Sequence, residues 1–179
     1  MPNIDYCDSD DPEIAELVRT IRARRSAGKL LNLDRMLLHS PPFARGWNSM
    51  FAAIRNEMQV PRQINELAIC AVARLNGADY EWVQHAPEFL AAGGTQQQLD
   101  ALDDVTAACY DSTRFDAVER AALRLTLDMT RDVKVRIEIV EQARKLLGER
   151  QLVELIGTIA GYNMVSRVLV ALGVDAAGE

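Results

Sequence analysis

Residues 149–172 form a stretch apolar on nearly every side: Leu152, Val153, Leu155, Ile156, Ile159, Met164, Val165, Val168, Leu169 and Leu172 are spread around the helical circumference. A helix apolar all round belongs in the centre of a core or is shared with a neighbouring subunit. Gly157 and Gly161, four residues apart, let a second helix approach closely. The stretch therefore predicts an oligomer, with this helix at its heart.

The rest of the chain is punctuated for helices, and strand alternation is weak everywhere. Asp11-Pro12-Glu13 opens a first helix, with a capping acid, proline in the first turn and a second acid behind it. That helix is expected to stop near Gly28, with a loop through Leu30, Leu31 and Leu33. Pro41-Pro42 opens a second helix, and Pro61 a third that ends at Asn76-Gly77. A fourth spans about 78–92, and Pro87 should bend or interrupt it. Thr95-Gln96-Gln97-Gln98 is a capping box for a fifth. Three more are expected at 116–130, 133–147 and 149–172. The fold class is all-α, a helical bundle of about eight helices in one domain over 1–179.

Composition sets outer limits on function. A net charge of −6 and no basic stripe argue against nucleic acid as a partner. Arg22, Arg24 and Arg25 cluster at a helix end, where they complement its dipole. Cys7, Cys70 and Cys109 are odd in number and form no C-x-x-C, so a zinc knuckle and a dithiol pair are both excluded. The first residues are not basic, so no signal peptide is expected. The longest uncharged apolar stretch, 155–166, is too short for a bilayer. A cytoplasmic protein with no membrane partner is the expectation.

Chemistry concentrates in Tyr80-Glu81-Trp82-Val83-Gln84-His85, which holds one of only two histidines. Positions i and i+4 share a helix face, so Glu81 and His85 can touch. Glu66 sits in the helix just upstream. A carboxylate beside an imidazole favours the protonated ring and fixes its tautomer, which suits proton transfer near neutral pH.

The run from Glu66 to His85, Glu-Leu-Ala-Ile-Cys-Ala-Val-Ala-Arg-Leu-Asn-Gly-Ala-Asp-Tyr-Glu-Trp-Val-Gln-His, resembles the carboxymuconolactone decarboxylase superfamily, which includes AhpD-like alkylhydroperoxidase proteins. Gly161-Tyr162-Asn163-Met164-Val165-Ser166-Arg167 resembles that family's last helix. The likeness extends over 41–172, is sharp only over 61–92, and leaves 1–40 as an N-terminal helical extension. It implies homotrimers or homohexamers with sites near subunit contacts. The hydroperoxidase branch carries C-x-x-C-x-x-x-H, and its two thiol positions fall here on Ala78 and Glu81. A dithiol peroxidase cycle is impossible without them. The decarboxylase branch uses acid–base groups alone, on a lactone that loses a carboxylate.

Each candidate has a plainer alternative. His85 could be a core histidine with one structural bond. Glu81 could be a simple surface partner, and Glu66 a complement to its helix dipole. Tyr80 and Trp82, on different sides of the helix, divide between lining a pocket and packing a core or interface. Cys70 lies one turn after Glu66 in an apolar helix and reads as a buried inert thiol. Glu66, Glu81 and His85 lack a second histidine for a metal.

The expected activity is that of a carboxymuconolactone decarboxylase-like, lyase-type enzyme without cofactor or metal. Its substrate would be a small carboxylated organic molecule. His85 is the proton shuttle in this reading, Glu81 and Glu66 tune it, and Tyr80, Trp82 and Cys70 meet the substrate. Two rivals stand beside it. One is a peroxiredoxin-type, peroxidase-related protein that uses Cys70 alone. The other is a non-enzymatic helical oligomer that binds a small ligand.

Overall fold

Local capping chemistry sets most of the helix boundaries in the computed structural model, which describes residues 2–25 and 28–179. Every regular element among these residues is helical. The chain divides into two compact units, Met1–Glu57 with Leu169–Glu179, and Met58–Val168.

In the first unit, Asp11 accepts the Glu13 N–H at 2.9 Å and starts a single 3-10 turn, Pro12–Ile14. Helix α1 (Ala15–Arg24) follows directly. Its expected course toward Gly28 crosses residues 26 and 27, which lie outside the described residues. The expected loop after it is in part a helix, α2 (Asn32–Leu37). Leu31 has no side chain to cap with, so the signal is easy to miss. The cap is Asp34, which takes the Leu31 N–H at 2.9 Å and is clamped by the Arg25 guanidinium. Helix α3 (Pro41–Asn56) packs on α1 and α2, with the Trp47 ring edge-on to Phe43 and tilted against Phe51. The second histidine, His39, lies 2.8 Å from the Asp5 carbonyl through Nε2, a structural bond.

The second unit is built on α4 (Arg62–Asn76), which packs against both α5 (Asp79–Ala91) and α8 (Ala117–Arg131). Between these lie α6 (Gln96–Ala101) and the one-turn α7 (Val105–Ala108). The Thr95–Gln98 capping box opens α6 as expected. Pro87 does not interrupt α5. Both Pro87 and Val83, the residue whose carbonyl loses its donor, are exposed, so water can serve that carbonyl. Gly94 turns the chain back so tightly that an added Cβ would lie 2.3 Å from the buried Phe89 ring.

Helix α9 (Ile137–Leu172) is two helices joined at Gly148, where φ is 77° and ψ is 171°. The break falls where the sequence places it, between 147 and 149. The first part starts at Ile137 rather than Val133, because Asp128 captures both the Arg136 backbone N–H and its guanidinium and holds a turn there. That turn carries Val133 at φ 63°. By length and composition α9 could cross a membrane, as could the core helix of a folded body. Its Leu155, Ile159 and Tyr162 are fully buried.

Candidate active site

Asn76-Gly77-Ala78 folds α5 back on α4. Gly77 takes the left-handed conformation (φ 62°, ψ 36°) that a side chain would strain, and the Ala78 N–H reaches back to the Ala73 carbonyl at 2.9 Å. Helix α5 then buries two faces. Trp82, Ala86 and Phe89 pack on the core that includes Leu67, Leu102 and Leu123. Glu81 and His85, one turn apart, point elsewhere and meet polar partners.

His85 Nδ1 lies 2.7 Å from Glu66 Oε2, with the two side chains only 10% and 11% exposed. The Tyr162 ring meets the imidazole at 5.0 Å between centroids and an interplanar angle of 87°, an edge-to-face contact that fixes the ring plane. Glu66 thus commits Nδ1 and leaves Nε2 as the nitrogen that can exchange a proton with a bound molecule.

Glu81 does not bond His85. Its Oε2 lies 3.0 Å from Ser166 Oγ on α9, and its Oε1 has no partner. Only 1% of the residue is exposed. Burial pushes its carboxyl up to about 8, against the opposing pull of the Ser166 bond. The two carboxyls therefore occupy unlike environments: Glu66 is hydrogen-bonded to a histidine, and burial favours the protonated form of Glu81.

Cys70 is fully buried. Burial above all, then the charges of Glu66 and Glu81, push its thiol well above the ordinary range, with Arg74 opposing. That environment suppresses the thiolate which attack on a peroxide requires. Trp82 sits against the core and under the Arg74 guanidinium, 3.5 Å from its ring centroid. Tyr80 is 6% exposed. Among the described residues no group of three or more His, Cys, Asp or Glu side chains could hold a metal ion.

Sequence reasoning picked out Glu66, Glu81 and His85 but gave no role to Tyr162 or Ser166. Their signal was present: a tyrosine and a serine one turn apart, in a helix that is apolar on nearly every side. Only the fold shows that they face α5.

Residues 41–126 match the model of the Carboxymuconolactone decarboxylase family. None of the curated proteins matches the chain. An uncharacterized peroxidase-related protein from Silicibacter sp. TM1040 shares the fold at TM-score 0.79 and 18% identity, covering 99% of this chain and 92% of its own. A peroxidase-related protein with an AhpD core from Ralstonia eutropha JMP134 does so at TM-score 0.79 and 15% identity, covering 99% and 93%. A cysteine-to-alanine variant of the debrominase Bmp8, in complex with 2,3,4-tribromopyrrole, superposes at TM-score 0.78 and 16% identity, covering 98% and 92%.

Proposed function

From a chain that belongs to the carboxymuconolactone decarboxylase/AhpD superfamily and carries no thiol on the helix of its histidine, we propose a cofactor-independent acid–base enzyme of the lyase type. Its substrate is a small, carboxylated organic molecule, and it works as a homo-oligomer in the cytoplasm. The observation that carries this reading is the buried 2.7 Å contact between His85 Nδ1 and Glu66.

In the decarboxylating case, the bond between the substrate carbon and its carboxylate breaks and carbon dioxide leaves. The bonding pair stays on the substrate as a dienolate. A proton on His85 Nε2 then passes to carbon, and the neutral imidazole is reprotonated from solvent while Glu66 holds its orientation. No oxidant or reductant enters, which suits a site without a reactive thiol. The small planar ring bound by the debrominase supports a compact substrate in this fold.

Screening should begin with small carboxylated lactones, reading carbon dioxide release. On the substrate so found, His85→Gln is expected to lower turnover by about 10²–10⁴-fold with helicity unchanged. Undiminished turnover in that variant would sink the assignment. The rival that uses Cys70 predicts sulfenic acid there on exposure to peroxide; the buried, suppressed thiol argues for no such product.

A further inference from the structure

We infer that Ser166 is a positioning residue that lets Glu81 hold and release a proton without losing its hydrogen-bond partner, so that the site has a proton-bearing acid separate from the Glu66–His85 pair. The inference deepens the acid–base reading, but its central observation requires no turnover.

A count of protons at the contact leads to it. Ser166 Oγ lies 3.0 Å from Glu81 Oε2 and 3.0 Å from the Tyr162 carbonyl. The hydroxyl has one proton to give. If Glu81 is protonated on Oε2, it donates to Ser166, and Ser166 donates to the Tyr162 carbonyl. Both contacts are then satisfied. If Glu81 is ionised, the hydroxyl rotates and donates to the carboxylate, while the Tyr162 carbonyl keeps its place in the helix ladder. One rotatable hydroxyl thus serves both states. A backbone N–H could serve only the ionised one, because it cannot accept.

The surroundings favour the protonated state at rest. Glu81 is almost wholly buried, and its Oε1 receives no donor. A buried carboxylate with one bond from a hydroxyl is poorly compensated. Of the titratable groups, Cys70 on α4 lies within electrostatic reach of both Glu81 and Glu66, and His85 follows one turn along its own helix. The nearby cation, Arg74, is engaged over Trp82. Among the described residues no cation is bonded to Glu81 to offset that burial. Burial raises the proton affinity of Glu81, and Ser166 moderates the rise. Enzymes that separate acid from base commonly do so by giving two carboxyls unlike environments. Here one is paired with a histidine and the other with a hydroxyl.

Infrared difference spectroscopy of the full-length protein, titrated from about pH 6 to about pH 10, reads the C=O stretch of a protonated carboxyl. A band present at neutral pH, absent in Glu81→Gln and lost near pH 8, is expected for the native chain. Ser166→Ala removes the one bond that steadies the ionised form, and should raise proton affinity about tenfold, moving the midpoint up by about one pH unit. Ser166→Cys, similar in size but a feeble donor, should do likewise, and Ser166→Thr should restore the native midpoint. A merely structural serine would leave the midpoint alone. Absence of the Glu81 band near neutral pH, or an unmoved midpoint in folded Ser166→Ala and Ser166→Cys, overturns the inference. Failure to find a substrate would count against the acid–base enzyme and leave these spectra untouched.

Discussion

Glu119 and Glu81 are both buried glutamates in the same unit, yet one is saturated with donors and the other is left short. Glu119 Oε1 takes Gln63 Nε2 at 3.0 Å and Gln98 Nε2 at 2.9 Å, and its Oε2 takes the Asp116 N–H at 2.7 Å. Asp116 returns a bond to the Glu119 N–H, completing a capping box that opens α8. Glu81 has a single hydroxyl and one oxygen without a partner. Glu119 is surrounded by donors on both of its carboxyl oxygens. Glu81 is left under-solvated, and its proton affinity rises as a result.

The largest test of this contrast removes the saturated acid. Glu119→Ala strands three donors and a helix start, and should cost roughly 3–5 kcal/mol. Urea unfolding followed by circular dichroism measures it. A loss below about 1 kcal/mol would show that the node is not structural after all.

The under-served acid should respond with the opposite sign. Glu81 binds its proton more tightly when folded, near 8, than the ordinary glutamate value of 4.5. Between those pH values the folded chain holds more protons than the unfolded one, so stability falls as pH rises and the loss is complete above about 8. Glu81→Gln abolishes this titration. It should be nearly neutral near pH 4 and more stable than the native chain by roughly 2–4 kcal/mol near pH 9. Parallel pH–stability curves for the two proteins would place the Glu81 proton elsewhere.

These two acids also mark how far the sequence could be read. The Glu119 cap, the Thr95–Gln98 box, the Gly77 stop and the Gly148 break are made by residues within a few positions of one another, so they are legible locally. Helix α2 escaped because its N-cap, Leu31, carries no side-chain acceptor to signal a start; the Leu31 N–H is taken instead by Asp34 at the third position, which Arg25 steadies. The pairing of His85 with an acid was legible through family resemblance. Which acid it would be was not, because Glu81 and Glu66 were both within reach of the pattern. Ser166, 85 residues from Glu81, has no local signal of its partner. The face of α5 that Glu81 occupies is decided by the packing of Trp82 and Phe89 on the core, and only the assembled helices express that.

The smallest effect concerns the helix that supplies Ser166. Gly157 lies on α9 one turn before Gly161, and an added Cβ there meets nothing within 4 Å. Within one subunit, Gly157→Ala should therefore be free of clash and stabilising by roughly 0.5–1 kcal/mol through helix propensity alone. A second subunit is the one thing such a methyl could meet. If the proposed oligomer brings a helix close at Gly157, the variant should keep full helicity while its sedimenting mass falls toward that of the single chain. An intact assembly with a slightly higher melting temperature would remove Gly157 from the contact.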